Sequence, residues 1–137
     1  MIAAVLLFPL TGCESTPHGH DHDHDHAEGH ARGVGVYRHV VCFRFKEGTT
    51  QADIDAINAA FEKLPQQIDT IRHFEWGVNV SPEGLADGFT HCYVVTFDDK
   101  AGLEAYLPHP AHQAFVAMLR PKLDKPFVID YVPAHMR

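Results

Sequence analysis

Two stretches of this chain alternate apolar and polar side chains with a period of two. From Tyr37 to Phe45, the residues His39, Val41, Phe43 and Phe45 share one face, and Arg38, Val40, Cys42 and Arg44 share the other. From Phe89 to Phe97, His91, Tyr93, Val95 and Phe97 alternate with Thr90, Cys92, Val94 and Thr96. Successive side chains of a strand point to opposite sides. Each strand therefore has one face built for a core and a second face that is still largely apolar. A sheet made from them has to be covered on both sides.

The segments between these strands supply one cover. Thr50 caps a helix running through Leu64, with Ile54, Ile57, Phe61 and Leu64 on one side and Pro65 ending it. Ile71 to Val80 is a second strand, carrying Trp76. Ser81-Pro-Glu-Gly84 and Asp87-Gly88 are turn chemistry leading into the strand of His91. Asp98-Asp99 caps a further helix, which Pro108 and Pro110 interrupt. Pro110 restarts it, because a first helical residue loses nothing by lacking an N–H. Phe127 to Val132 is the last strand. The order is β-α-β-β-α-β with a split second helix, an α+β arrangement with an antiparallel four-stranded sheet under a helical layer.

Polar groups then appear where plain packing would use aliphatic ones. His39 and His91 lie on the strand faces turned to the helices. Tyr106, His109 and His112 come from the break in the helical layer. His112 falls in the first turn after Pro110, near the positive end of the helix dipole, which disfavours imidazolium and leaves a neutral base. Tyr106 or His91 can then donate to an enolate oxygen. A cavity between sheet and helices, lined by Phe43, Phe61, Trp76 and Tyr93, suits a flat apolar ligand with a few oxygens. His109 caps the helix it precedes. A zinc site from His91, His109 and His112 is the weakest alternative, since no carboxylate or thiolate completes it.

Several of these stretches together resemble one family. They are Arg38-His-Val-Val-Cys-Phe-Arg-Phe-Lys46, Phe74-Glu-Trp-Gly77, Gly88-Phe-Thr-His91, Leu107-Pro-His-Pro-Ala-His112 and Asp130-Tyr131. In this order they resemble the stress-responsive dimeric α/β-barrel (Dabb) family over Tyr37 to Pro133. The resemblance implies a ferredoxin-like βαββαβ protomer that pairs with a second copy to close a barrel. A plant polyketide cyclase of that family is similar in a further way. It implies His112 as general base, with Tyr106, His39 and His91 in the pocket. Phe61 stands where that pocket carries a tyrosine.

The second cover follows from the strands themselves. Val40, Cys42, Cys92 and Val94 occupy the face away from the helices, and a twin sheet would bury them. Cys42 and Cys92 are read as free thiols acting as small hydrophobes, since a bridge between neighbouring strands is strained.

The ends of the chain read differently from its middle. Residues 1–13 form an apolar leader closing on Leu10-Thr-Gly-Cys13, which resembles a bacterial lipobox with Cys13 as the acylated residue. Residues 14–35 form a linker of alternating His and Asp that cannot bury a core. His18, His20, His22, His24, His26 and His30 there would hold Zn, Cu or Ni loosely. Residues 36–134 are the folded domain. The formal charge of −7 arises largely from the linker, and no basic stripe exists to track phosphates, which excludes nucleic-acid binding. These readings describe a lipid-anchored protein of the bacterial cell envelope, homodimeric through its open sheet face. It binds a small organic ligand without a required cofactor. An acid/base enzyme of aldol-cyclase or lyase type and a metal-buffering protein are the alternatives.

Overall fold

The computed structural model describes residues 36–134. The leader ending at Cys13 and the histidine tract from His18 to His30 lie outside the described residues. Eight elements follow one another: β1 (Tyr37–Phe45), α1 (Gln51–Glu62), α2 (Leu64–Gln67), β2 (His73–Val78), β3 (His91–Phe97), α3 (Lys100–Tyr106), α4 (Pro110–Leu119) and β4 (Leu123–Tyr131). The four strands form one antiparallel sheet in the order β2-β3-β1-β4. This is the ferredoxin-like arrangement, with the two longest-alternating strands at its centre.

Local chemistry sets the element ends. Thr50 caps α1 through a reciprocal capping box with Asp53. The helix stops at Glu62 instead of reaching Leu64, and Pro65 sits inside the first turn of α2, where a missing N–H costs nothing. The last strand starts at Leu123, four residues earlier than Phe127. Pro126 lies within it, which is tolerated because β4 is an edge strand. The ladder also slips between Arg44 and Phe45, where a bulge ends the regular pairing.

The core lies between the sheet and the helices. Phe43, Ile57, Phe61, Leu64, Tyr93, Val95, Phe97 and Tyr106 are almost wholly removed from solvent. Phe61 is its hub, with ring centroids 4.4 Å from Phe115, 4.8 Å from Tyr93 and 4.8 Å from Phe74. The opposite sheet face is bare. Phe127, Ile129 and Tyr131 of β4 are about half exposed there, in register with Cys42, Val40 and Arg38 of β1. Cys42 and Cys92 are directly opposed across β1 and β3, and both are free. Burial, and the Cys92 thiol beside it, push the Cys42 thiol up to about 11.

Candidate functional site

Tyr106 is the last residue of α3, and its position is fixed from both ends. Asp99 caps the helix by accepting from the Gly102 N–H at 3.0 Å. A Cβ on Gly102 would stand 3.0 Å from the Phe97 Cβ, so glycine lets α3 settle this closely on β3 without pushing Phe97 aside. The Tyr106 ring then packs 5.3 Å from Phe97 and is 1 % exposed. Burial raises its pKa, so the phenol stays protonated and remains a donor.

The Leu107-Pro-His-Pro turn places the next imidazoles. His109 is the N-cap of α4, its Nδ1 accepting from the Ala111 N–H at 3.1 Å. His112, one turn on, has Nδ1 2.9 Å from the Leu107 carbonyl oxygen. A carbonyl only accepts, so Nδ1 carries the proton and Nε2 of the neutral ring keeps its lone pair. The His112 pKa is lowered, first by burial and then by His39 and His109, while the Leu107 carbonyl acts the other way. Burial, and not the helix dipole expected from the sequence, ranks first among these causes. The His112 and Tyr106 rings lie 4.2 Å apart.

His39 completes this group from the sheet. It is buried on β1, with its ring 6.0 Å from Tyr106. Its Nδ1 is 2.6 Å from Oδ1 of Asp130, the residue directly opposite it on β4. A carboxylate accepts, so Nδ1–H donates and Nε2 is left free. Asp130 entered the sequence reading only within the Asp130-Tyr131 stretch that carries the family resemblance. The β1–β4 register was the signal that would have found it.

His91 does not join this group. It pairs with Phe43, while His39 pairs with Val95, four positions further along the same ladder. At the rise of a strand the two backbone positions stand about 13 Å apart along the sheet. The ring contacts of His91 are with Phe45, Trp76 and Tyr93, none of them a member of the His39–Tyr106–His112 group. Phe43, Phe61 and Tyr93, expected to line a ligand pocket, pack against one another as buried core rings. Tyr93 donates to Asn58 Oδ1 at 2.6 Å inside that core. His91 instead stacks on Trp76 and meets the edge of Phe45, with Nδ1 2.9 Å from Thr90 Oγ1. Trp76 donates to Glu62 at 2.7 Å. Burial lowers the His91 pKa, with Asp55 opposing. His91, His109 and His112 do not come together as a zinc site, since no cluster of three or more metal-binding side chains occurs among the described residues.

A groove of about 610 Å³ opens on the uncovered side of the sheet. Phe89, Phe127, Leu85 and Lys125 flank it, and Cys42 and Cys92 lie in its lining. Arg44 pins the turn beside it, with bonds to Asp124 and to Asp87. Asp87 has φ 48°, a left-handed conformation that this clamp helps to hold.

Residues 37–133 match the family described as the Stress responsive A/B Barrel Domain, or Dabb. The chain is 36% identical over 99 residues to the stress-response A/B barrel domain-containing protein HS1 of Arabidopsis thaliana, covering 72% of this chain and 91% of that protein. It is 28% identical over 96 residues to olivetolic acid cyclase of Cannabis sativa, covering 70% of this chain and 95% of the cyclase. Among solved structures, hydroxynitrile lyase from Passiflora edulis superposes with a TM-score of 0.69 at 29% identity, covering 76% of this chain and 98% of the lyase. A dimeric ferredoxin-like protein of unknown function from Thermobifida fusca superposes with a TM-score of 0.61 at 28% identity, covering 71% of this chain and 90% of that one. With the fold, the match over residues 37–133 and these relatives in agreement, the chain belongs to the stress-responsive A/B barrel (Dabb) family.

Proposed function

We propose that this protein binds a small organic carbonyl compound beside Tyr106 and His112 and moves a proton on it. The observation that carries this reading is the fixed tautomer of His112. Its Nδ1–H is held by Leu107, which leaves Nε2 as a neutral base next to a buried phenol. In the step proposed, Nε2 takes a proton from the carbon beside the carbonyl. The C–H electron pair becomes the enolate double bond, and the carbonyl π pair moves onto oxygen. Tyr106 O–H donates to that oxygen. The His39–Asp130 pair presents a second oriented imidazole to the same cluster. A cyclase and a lyase among the similar proteins support acid/base chemistry on such a scaffold.

The rest of the reading concerns the setting. A homodimer is proposed through the open sheet face, supported by the half-exposed Phe127, Ile129 and Tyr131 and by the dimeric Thermobifida fusca neighbour. Anchoring at the cell envelope through Cys13, and loose capture of Zn, Cu or Ni by the tract from His18 to His30, rest on sequence alone.

The test is exchange of α-protons of pentane-2,4-dione in D₂O, followed by proton NMR. Exchange above the buffer rate that is lost in His112→Ala is expected. A wild-type rate equal to buffer, or one unchanged in His112→Ala, overturns the catalytic reading. Saturable binding with no exchange would instead make the protein a carrier.

A further inference from the structure

The Leu107 carbonyl that holds His112 has a second donor. Gln113 Nε2 stands 2.7 Å from it, beside His112 Nδ1 at 2.9 Å. A carbonyl oxygen has two lone pairs and only accepts, so the amide end turned towards it is the NH₂ and both bonds form together. The two donors are consecutive residues of α4, and their acceptor belongs to the C-cap of α3. One oxygen thus joins the end of one helix to the first turn of the next.

The break in the helical layer explains why this oxygen is left for side chains. In a continuous helix the Leu107 carbonyl would accept from the N–H four residues on, that of Ala111. The Ala111 N–H is taken instead by His109 Nδ1 at 3.1 Å. Pro108 and Pro110 have no N–H to offer. The N–H groups of His109 and Gln113 go to the carbonyls of Tyr106 and His109. The last carbonyls of a helix must find partners beyond it, and here His112 and Gln113 supply them. Leu107 is 41% exposed, so water competes for the same lone pairs. A carbonyl held by His112 alone is free to turn to water, and the ring then loses the bond that sets its tautomer. An unheld histidine side chain prefers its proton on Nε2, which removes the lone pair a base needs there.

We infer that Gln113 is a positioning residue for His112: its side-chain amide fixes the Leu107 carbonyl, and that carbonyl keeps the ring proton on Nδ1 with Nε2 free. The amide bond to Leu107 does not depend on the charge of the ring. The acceptor therefore stays in place whether His112 is neutral or has taken up a proton. The value of this hold to catalysis rests on the proton-transfer reading above; the hold itself does not. The Leu107-Pro-His-Pro-Ala-His112 stretch that carries the family resemblance stops one residue short of Gln113.

The experiment is long-range proton–nitrogen correlation NMR of the nitrogen-labelled full chain at pH 7.5, with the His112 ring signals assigned by their loss in His112→Ala. The wild type should show the Nδ1–H tautomer. Gln113→Met keeps the length of the side chain and removes the donor, and a mixture with the Nε2–H tautomer is expected. Exchange of pentane-2,4-dione α-protons should fall with it, by less than the ~10²–10⁴-fold that a removed general base costs. Gln113→Lys, which returns an N–H donor, should restore the wild-type tautomer. Should Gln113→Met fail to fold, Gln113→Glu decides, since a carboxylate accepts and cannot donate. A pure Nδ1–H tautomer in the variant without a donor overturns the assignment. So does a mixture that Gln113→Lys leaves unchanged. Absence of exchange in the wild type counts against the proposed reaction alone, because the tautomer is read without turnover.

Discussion

Across the β1–β4 ladder, Nδ1 of His39 and Oδ1 of Asp130 stand 2.6 Å apart, a hydrogen bond between an almost buried ring and a carboxylate about one-third exposed. The carboxylate fixes which imidazole nitrogen carries the proton and which way the ring points. In Asp130→Ala the ring loses both constraints. Exchange of dione α-protons is expected to fall, by less than the ~10²–10⁴-fold that a removed general base costs. Proton NMR of the His39 ring should show the tautomer mixture that the carboxylate suppresses. An unchanged rate and an unchanged ring spectrum would remove Asp130 from the site.

In the proposed reaction His112 would set the acid limb. Its pKa is lowered from the ordinary 6.5 by burial and two neighbouring imidazoles. The neutral form therefore persists below pH 6.5, and the rate should hold on acidification before dropping at the lowered value. His112→Ala should cost about 10²–10⁴-fold and abolish that limb. A limb surviving in the variant would assign the base elsewhere.

His91 and His112 together make stability depend on pH. Both have folded-state pKa values below the unfolded value of 6.5. Below pH 6.5 the unfolded chain takes up protons that the folded chain refuses. Their contribution is whole above 6.5 and is lost as pH falls through the lowered values. Melting temperature should decline from pH 7.5 to 5.5. His91→Gln should reduce the slope and leave dione exchange at the wild-type rate, because its backbone lies about 13 Å from that of His39 along the strand ladder. Loss of exchange in His91→Gln would return His91 to the group.

Cys42, with its pKa raised to about 11, should be a poor nucleophile. Iodoacetamide at pH 8 should label it slowly, faster as pH approaches 11, and at once after denaturation. Mass spectrometry of the labelled peptide reads this directly. Fast labelling of native protein at pH 8 would contradict its environment.

Ile129 tests the bare face. It is 47% exposed and in register with Val40 of β1. A charge there cannot be buried against a second sheet without a partner. Ile129→Glu should sediment as a monomer where the wild type sediments as a dimer, with little change in its circular dichroism. A dimer that persists would place the interface elsewhere.

What the sequence disclosed and what it concealed divide along one line. Alternation and capping chemistry located β1, β3, α1 and the broken helix, because those signals are local. Alternation also placed His91 and His39 on the same face correctly. It carries no measure of distance along a strand, which is why two residues sharing a face were assigned to one cavity. Phe61 was read as a pocket wall for a similar reason, since helical spacing shows the inward side and not how many rings already fill it. Asp130 was out of reach because its partner is 91 residues away and is chosen by register. Pro126 hid the start of β4, as proline demotes a strand unless its edge position is known.

The pairing of β1 with β4 joins the first strand of the domain to the last. Its carboxylate therefore reaches its imidazole only once synthesis has passed residue 130 and the tail has zipped home. A nascent or clipped chain would display His39, Tyr106 and His112 while still lacking the acid that orients the first of them. Competence at this centre thus reports that the whole domain has been made and closed.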